Sequence, residues 1–269
     1  MYACPDCKTS LDGLWCSTCK TEFPVRDGFP LLVPRGVQVD LAESVFKTYD
    51  RMYSQGRNIW EDQGRTPQFI EFFAGRLAEL SRGSILEIGC GEGFLLAAID
   101  AETKAAVDPS VQALARAARR TQATLAVAVA ENLPFPTNSF DLVAAVGVME
   151  HFFDDRRASR EIARVLRPSG WYVTLIHTER TVAQRLKQKM SEYVFPRPRP
   201  LAAGSWLLRT IFRPRNQPVQ NGYTLTSGRA CLEDSGLEVR EILHLRTHPD
   251  LPFVGPHVVA YVARKSAVA

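Results

Sequence analysis

Four cysteines stand in two closely spaced pairs near the start of the 269-residue chain. Cys4 and Cys7 form one C-x-x-C pair, and Cys16 and Cys19 form the other. Four thiolates satisfy the tetrahedral preference of Zn²⁺ and leave no open coordination position. The alternatives are a redox-active pair, which normally follows a β-α-β pattern absent here, and two disulfides. We therefore predict one structural zinc site, with metal binding coupled to folding of this segment.

A glycine-rich turn follows the first buried apolar run and opens a helix. It reads Glu87-Ile88-Gly89-Cys90-Gly91-Glu92-Gly93. Glycines at such a strand end let the backbone approach a nucleotide-type ligand, and Glu87 is placed to receive a cation. Asp108 ends the next apolar run, where a carboxylate can accept both ribose hydroxyls. The third glycine comes one residue earlier than in the dinucleotide fingerprint, which disfavours a nicotinamide or flavin site.

Short apolar runs alternate with helical stretches from residue 83 onward, and this alternation predicts a parallel, doubly wound α/β sheet. A helix between the fourth and fifth runs is expected to end at Pro168-Ser169-Gly170. Two later runs could close the sheet as an edge hairpin, which gives seven strands. Residues 37–82 are predicted to be helical. The predicted strands are 84–88, 105–108, 124–130, 140–146, 171–176, 237–246 and 257–264.

The motifs of this region, taken in order, resemble those of class I S-adenosylmethionine-dependent methyltransferases. The glycine turn is followed by Val107-Asp108-Pro109-Ser110, by Ala130-Glu131-Asn132-Leu133-Pro134-Phe135 and by Val165-Leu166-Arg167-Pro168-Ser169-Gly170-Trp171. The resemblance covers about residues 83–178. It implies a Rossmann-like, mostly parallel sheet with an antiparallel edge hairpin, and S-adenosyl-L-methionine as the cofactor.

The resemblance also implies roles for individual residues. The methionine part of the cofactor would be held by Glu87 and the loop residues Gly89, Cys90, Gly91 and Gly93. Asp108, with Pro109 beside it, would bind the ribose; Ala130 and Glu131 would flank the adenine, and Gly147 would complete the cofactor site. The family often has an acidic residue where this chain has Val129, so either Glu131 or backbone groups would contact the adenine amine, or the adenine would be held less tightly.

The amino-terminal segment resembles the Trm112-like zinc-ribbon family. Its two knuckles are followed by Phe23-Pro24-Val25-Arg26-Asp27-Gly28-Phe29-Pro30-Leu31-Leu32, which predicts a strand, an Asp-Gly turn and a second strand. In that family the small module supports methyltransferases, as a separate partner or fused. We assign residues 1–36 to this ribbon and 37–269 to the methyltransferase domain. Because the segment has no basic or aromatic stripe, a stabilising cap is favoured over a ribbon that recognises RNA or another substrate.

Two histidines follow the fourth and fifth predicted strands. His151 and His177 would both lie at the carboxyl edge of the sheet, beside the cofactor cleft. Methyl transfer to oxygen needs a base, and an imidazole suits this role near neutral pH. The alternative is that the Glu150-His151 pair only shapes the pocket or caps the next helix.

The positive charge of the chain is concentrated in one insertion. The chain has 33 Lys and Arg against 29 Asp and Glu, a net +4, whereas residues 179–215 alone have nine basic and two acidic residues, a net +7. We predict that residues 178–222 form a helical lid over the acceptor site. Its interleaved apolar residues suit a small-molecule or lipid-linked acceptor with an anionic group, or peripheral contact with an anionic membrane surface through 180–215. A solvated basic lid is the alternative, and RNA fits less well.

The sequence also limits the location and class of the protein. No run approaches the roughly 18 apolar residues of a membrane span, and the start lacks the basic and apolar regions of a signal peptide, so we expect a cytoplasmic protein. We predict methyl transfer to an oxygen of the acceptor. The alternatives are a tRNA or rRNA methyltransferase and a non-catalytic partner protein that keeps the cofactor fold. The pattern makes no prediction of oligomeric state.

Overall fold

The computed structural model describes residues 2–35, 39–54, 66–178, 221–245 and 258–267. The first described residues form two short antiparallel β-hairpins. Strand β1 (Trp15–Cys16) pairs with β2 (Thr21–Glu22), and β3 (Val25–Arg26) pairs with β4 (Phe29–Pro30). The second hairpin turns at Asp27-Gly28, where both residues have positive φ, as a tight hairpin turn requires. The predicted strand, turn and strand are therefore present.

Two helices precede the sheet in the described part of the predicted helical region 37–82. Helix α1 spans Val39–Ser54, and its side chains are described from Phe46 onward. Helix α2 spans Pro67–Leu80. The Thr66 side chain caps α2 by accepting a hydrogen bond from the Phe69 amide, and the proline at the first helical position suits a helix start. Helix α2 buries Phe69, Phe73 and Leu77 against one face of the sheet.

The central sheet has seven strands in the order β10-β11-β9-β8-β5-β6-β7. Five are parallel, and β11 lies antiparallel between β9 and β10. This confirms the Rossmann-like sheet and its antiparallel edge hairpin. The strands are β5 (Ser84–Ile88), β6 (Thr103–Asp108), β7 (Thr124–Val127), β8 (Phe140–Val146), β9 (Leu166–His177), β10 (Leu237–His244) and β11 (Val258–Lys265).

The helices that connect these strands cover both faces of the sheet. In the described residues they are α3 (Phe94–Ala98), α4 (Val111–Ala117), α5 (Asp155–Val165) and α6 (Leu225–Glu233), with single 3₁₀ turns at Ala130–Asn132 and Met149–His151. Strand β8 shows the result: Leu142 and Ala144 pack into one core, and Val143 and Ala145 pack into the other. A strand buried on both faces reads as a continuous apolar run, which is why its bounds could be predicted from sequence.

Two predicted boundaries are wrong. The helix predicted to end at Pro168-Ser169-Gly170 is α5, which ends at Val165, and β9 starts at Leu166 rather than at 171. Leu166 has extended backbone angles and pairs with Phe140, and the next residue, Arg167, is disfavoured in a helix because it precedes Pro168. The third strand ends at Val127 rather than at 130, since the chain turns into the 3₁₀ segment at Ala130.

Two other sequence predictions concern longer segments. Apart from its ends at 178 and 221–222, the predicted lid insertion 178–222 lies outside the described residues. In the part of the chain that the structure describes, no helix combines the length and apolar character needed to cross a bilayer.

Candidate functional site

An open cleft lies at the carboxyl ends of β5, β6 and β8, where ligands bind in open parallel sheets. Its floor comes from the strand ends and the turns that follow them, and one side comes from α1. The lining residues are Tyr49, Met52, Tyr53, Ile88, Gly89, Gly91, Val107, Asp108, Pro109, Ala128, Val129, Ala130, Glu131, Val146, Gly147, Val148, His151, Phe152 and Phe153. Seven of the predicted cofactor-binding residues are among them, from Gly89 to Gly147.

The glycine turn is shaped by close backbone packing. Gly89 has φ +65°, and a Cβ atom built there would lie 2.6 Å from Val148 Cγ1. Gly93 has φ +76°, and its Cβ would lie 2.9 Å from the Cβ of Ala117. Glycine at 89 thus keeps the cleft floor open, whereas glycine at 93 lets the start of α3 pack against α4 without lining the cleft.

Asp108 is the buried carboxylate of the cleft. Its Oδ2 accepts a hydrogen bond from the Gly91 amide at 2.8 Å, and its Oδ1 accepts one from the Ser110 amide at 2.8 Å. Burial raises the pKa of Asp108 to about 6, although these two hydrogen bonds act in the opposite direction. Each oxygen has further lone-pair capacity, so a diol that enters the cleft can donate to it.

Glu87 and Cys90 are buried beneath the cleft and do not line it. Burial, followed by the charges of Asp108 and Glu87, raises the pKa of the Cys90 thiol well above its ordinary value. Such a thiol is a poor nucleophile. Cys90 packs among core residues such as Leu95, in agreement with a small filler beside the glycine loop.

Glu131 lines the cleft, but its carboxylate bonds to the chain itself. Oε1 accepts hydrogen bonds from the amides of Phe153 at 2.6 Å and Asp154 at 3.3 Å, just before α5 begins. One oxygen of this carboxylate thus holds the start of α5.

Helix α1 supplies cleft residues that sequence reasoning missed. Tyr49, Met52 and Tyr53 recur at helical spacing, and from the sequence they could be identified only as one face of a helix. The helix is tied to the sheet through Asp50, whose Oδ1 accepts a hydrogen bond from Ser110 Oγ at 2.7 Å. Arg116 of α4 reinforces the tie, because it donates to the Tyr53 carbonyl.

The two candidate histidines differ in position. His151 lines the cleft, whereas His177, the last residue of β9, does not. The His177 Nδ1 atom lies 2.9 Å from Oε1 of the buried Glu150, and its side chain is 62% exposed. The structure thus brings His151 together with the predicted cofactor residues and pairs His177 with a carboxylate.

The four amino-terminal cysteines converge on one point. Their Sγ atoms all lie within 4.8 Å of one another, with 3.8 Å between Cys4 and Cys19 and 3.5 Å between Cys7 and Cys16. Zn–S bonds of about 2.3 Å in a tetrahedron require S···S distances of about 3.8 Å. All four thiols are free in the structure, and each can offer one sulfur to a shared ion. The four sulfur atoms fit a tetrahedral zinc site with no open coordination position.

The ribbon is attached to the outer strand of the sheet. Leu31 forms a parallel bridge with Val127 at the end of β7, and the Leu32 amide donates to the Val127 carbonyl at 2.9 Å. Tyr2 Oη donates to the Leu125 carbonyl at 2.8 Å, and Lys8 forms a 2.7 Å ion pair with Glu161 of α5. These contacts place the ribbon against the domain that contains the cleft.

Comparison with known proteins agrees with this geometry. A family model described as a methyltransferase domain matches residues 86–174. A Mycobacterium tuberculosis protein named a probable S-adenosylmethionine-dependent methyltransferase is 42% identical over 95 residues, which cover 32% of each chain. The rice chloroplast 2-methyl-6-phytyl-1,4-hydroquinone methyltransferase 2 is 34% identical over 94 residues, which cover 32% of this chain and 27% of that protein. The matched segment thus spans about a third or less of the length of these relatives.

Solved structures share the fold at low sequence identity. A chain of the Haloferax volcanii complex between the Trm112 methyltransferase activator and a candidate methyltransferase has a TM-score of 0.59 at 17% identity, covering 81% of this chain and 97% of that one. A Thermotoga maritima S-adenosylmethionine-dependent methyltransferase has a TM-score of 0.57 at 20% identity, covering 82% and 100%. The family match covers about a third of this chain, and the sheet order and the ordered motifs are similar to those of class I S-adenosylmethionine-dependent methyltransferases.

Proposed function

We propose that the protein is an S-adenosylmethionine-dependent methyltransferase. The observation that carries this proposal is the buried Asp108 carboxylate, which ends β6 beside a glycine-lined cleft at the carboxyl edge of the sheet. A dinucleotide site needs the same carboxylate but a different glycine spacing. The bound cofactor supplies a methyl group on a positively charged sulfur, which reacts by in-line displacement.

The residues of the chain bind and orient this group. In the proposal, Asp108 and Pro109 hold the ribose, and the backbone of Gly89, Gly91 and Gly147 surrounds the methionine part. Glu87 lies buried below the loop, where its charge favours a cation above it. Ala130 and Glu131 flank the adenine through backbone groups. Tyr49, Met52 and Tyr53 cover the cofactor and exclude water, which favours displacement at the methyl carbon.

The proposed acceptor is a small or lipid-linked molecule with an anionic group, methylated on oxygen. The support is the net charge of +7 in residues 179–215, in the segment expected to cover the acceptor. The rice relative, which is named for a phytyl hydroquinone, supports an apolar acceptor. The same charge supports peripheral contact of 180–215 with an anionic membrane surface, which we place on the cytoplasmic side. His151 and His177 are the candidate bases for the acceptor oxygen.

The zinc ribbon is proposed as a structural cap on the methyltransferase domain. Its contacts with β7 and α5 support this role, since they bury Ala3 and Leu32 and use backbone groups on both sides. The Haloferax complex joins an activator to a methyltransferase as two proteins. In this chain, the ribbon and the methyltransferase domain belong to one polypeptide.

The test uses the full chain loaded with zinc. Calorimetry with S-adenosylhomocysteine, the demethylated cofactor, should show one site per chain, and Asp108→Ala should abolish binding. A cell extract is then split into lipid, aqueous small-molecule and RNA fractions and incubated with methyl-labelled cofactor, with Asp108→Ala as the blank. Label in the lipid or aqueous fraction supports the proposed acceptor, and label in RNA alone refutes it. A chain that binds no cofactor is not a methyltransferase.

A further inference from the structure

Glu150 is a buried carboxylate that the cofactor site does not use. It lies in the 3₁₀ turn after β8, and it is 4% exposed. Its Oε1 accepts a hydrogen bond from the His177 amide at 2.5 Å and lies 2.9 Å from His177 Nδ1. One carboxylate oxygen thus holds both the backbone and the ring of the same histidine.

This contact determines which nitrogen of His177 carries the proton. An ionised carboxylate only accepts hydrogen bonds, so Nδ1 must be the donor and Nε2 of the neutral ring has a free lone pair. Burial tends to raise the pKa of Glu150, but the hydrogen bonds that its carboxylate accepts from His177 act in the opposite direction, and the pKa is held below its ordinary value. Glu150 is therefore ionised at neutral pH.

The same turn lies beside the described residues on either side of positions 179–220. At the start of residues 178–222, Thr178 follows His177 directly and forms a bridge with Tyr223. At the other end, the Asn221 amide donates to the Glu150 carbonyl at 2.7 Å, and its side chain donates to the Phe152 carbonyl at 2.8 Å. The turn that contains Glu150 is therefore held both to the end of β9 and to the residues that precede α6.

The turn also connects His177 to the cofactor cleft. His151, the residue after Glu150, lines the cleft, and so does Gly147, whose amide donates to the Leu175 carbonyl at 3.0 Å. His177 is two residues beyond Leu175 on β9. Its exposed ring thus lies at the same sheet edge as the cleft.

We propose that His177 is the base that deprotonates the acceptor hydroxyl and that Glu150 is the residue that positions it. This inference rests on the proposed methyltransferase function. The acceptor oxygen forms a bond to the methyl carbon as the carbon–sulfur bond breaks, and the electron pair of that bond stays on sulfur. The hydroxyl proton moves to Nε2 of His177. The imidazolium that results is stabilised by the Glu150 carboxylate on the opposite nitrogen.

The first test measures the tautomer of His177 and needs no acceptor. Ring ¹⁵N shifts of the full chain, assigned by their loss in His177→Gln, should show Nδ1 protonated and Nε2 unprotonated. In Glu150→Ala the ring should shift towards the Nε2-protonated form that free histidine prefers. An unchanged tautomer in Glu150→Ala, with the fold intact by thermal melting, would overturn the positioning role.

The second test measures turnover with the extract fraction that accepts the methyl label. Glu150→Gln keeps the size of the side chain but removes its charge, and we expect kcat to fall about 10- to 100-fold. The dissociation constant for S-adenosylhomocysteine should stay within about twofold. His177→Ala should lose turnover and regain part of it with added imidazole, since the ring is exposed. His244→Gln, a change at the end of β10, is the control and should keep full turnover.

The failure of this inference can be distinguished from failure of the proposed function. If the chain binds no S-adenosylhomocysteine, the methyltransferase proposal fails and the tautomer result stands alone. If His151→Gln abolishes turnover while His177→Gln does not, the protein is a methyltransferase but His151 is its base. If both variants retain turnover, neither histidine acts as a base.

Discussion

The pKa of Asp108 predicts that cofactor binding depends on pH. Burial raises this pKa to about 6, and the ribose hydroxyls need the ionised carboxylate as their acceptor. With a pKa of 6, about nine-tenths of the sites are ionised at pH 7 and about one-tenth at pH 5. The dissociation constant for S-adenosylhomocysteine should therefore rise about tenfold between pH 7 and pH 5, and binding near pH 6 should release protons.

The same shift predicts how stability of the cofactor-free chain depends on pH. The folded state holds the Asp108 proton more tightly than the unfolded state, whose pKa is near 3.8. The unfolding free energy should thus fall as pH rises from about 4 to 6, and a shift of about two units corresponds to about 3 kcal/mol. The cofactor should recover stability at neutral pH, because it supplies donors to the buried charge.

Calorimetry at half-unit steps from pH 5 to 8, in buffers of different ionisation enthalpy, measures both the affinity and the proton release. Asp108→Asn should bind roughly 100-fold more weakly at pH 7.5, since it lacks the charged acceptor, and its affinity should not change between pH 5 and pH 8. Asp141→Asn, a change at the opposite end of the sheet, is the matched control, and its affinity should depend on pH as that of the native chain does. His151 also lines the cleft. If the affinity of the native chain does not change with pH, or if its pH dependence disappears in His151→Gln, the ionisation of Asp108 does not control cofactor binding.

Three further predictions follow from packing around the cleft and the ribbon. Gly89→Ala should abolish cofactor binding and lower the unfolding free energy by about 1–3 kcal/mol, because the new Cβ would clash with Val148 and the backbone has a positive φ. Gly75→Ala in α2 is the control. Its Cβ would have no atom within 4 Å, so the change should be neutral or slightly stabilising. Removing zinc with a chelator should release one equivalent of metal and speed hydrogen exchange at the Leu32 amide, whereas slow exchange after metal loss would exclude a metal-dependent ribbon. Tyr49→Ala should weaken cofactor binding about tenfold in calorimetry, and unchanged affinity would show that α1 does not cover the cofactor.

The sheet could be predicted because parallel strands are buried on both faces. Their apolar runs are continuous, and β5 and β8 have the bounds predicted from sequence. The end of α5 could not be predicted, since Leu166 fits an apolar helix face as well as a strand. Only its pairing with Phe140 across the sheet decides between the two.

The candidate site was predictable where its residues lie directly at strand ends, as Gly89 and Asp108 do. The contribution of α1 depends on which face of a distant helix meets the cleft, and local sequence carries no signal for this. The role of Glu131 depends in the same way on the 3₁₀ turn, which directs its carboxylate to the Phe153 amide. The pairing of Glu150 with His177 joins residues 27 positions apart and depends on the register of β8 and β9.

The attachment of Leu31 and Leu32 to β7 has a consequence for how the protein behaves in concentrated solution. Strand β7 ends the sheet, and an open strand of this kind offers unpaired backbone groups to any other extended chain. The ribbon occupies part of this edge with its own backbone. Loss of the metal would free that edge, so zinc starvation would favour intermolecular strand pairing and aggregation even while the cleft itself remained folded.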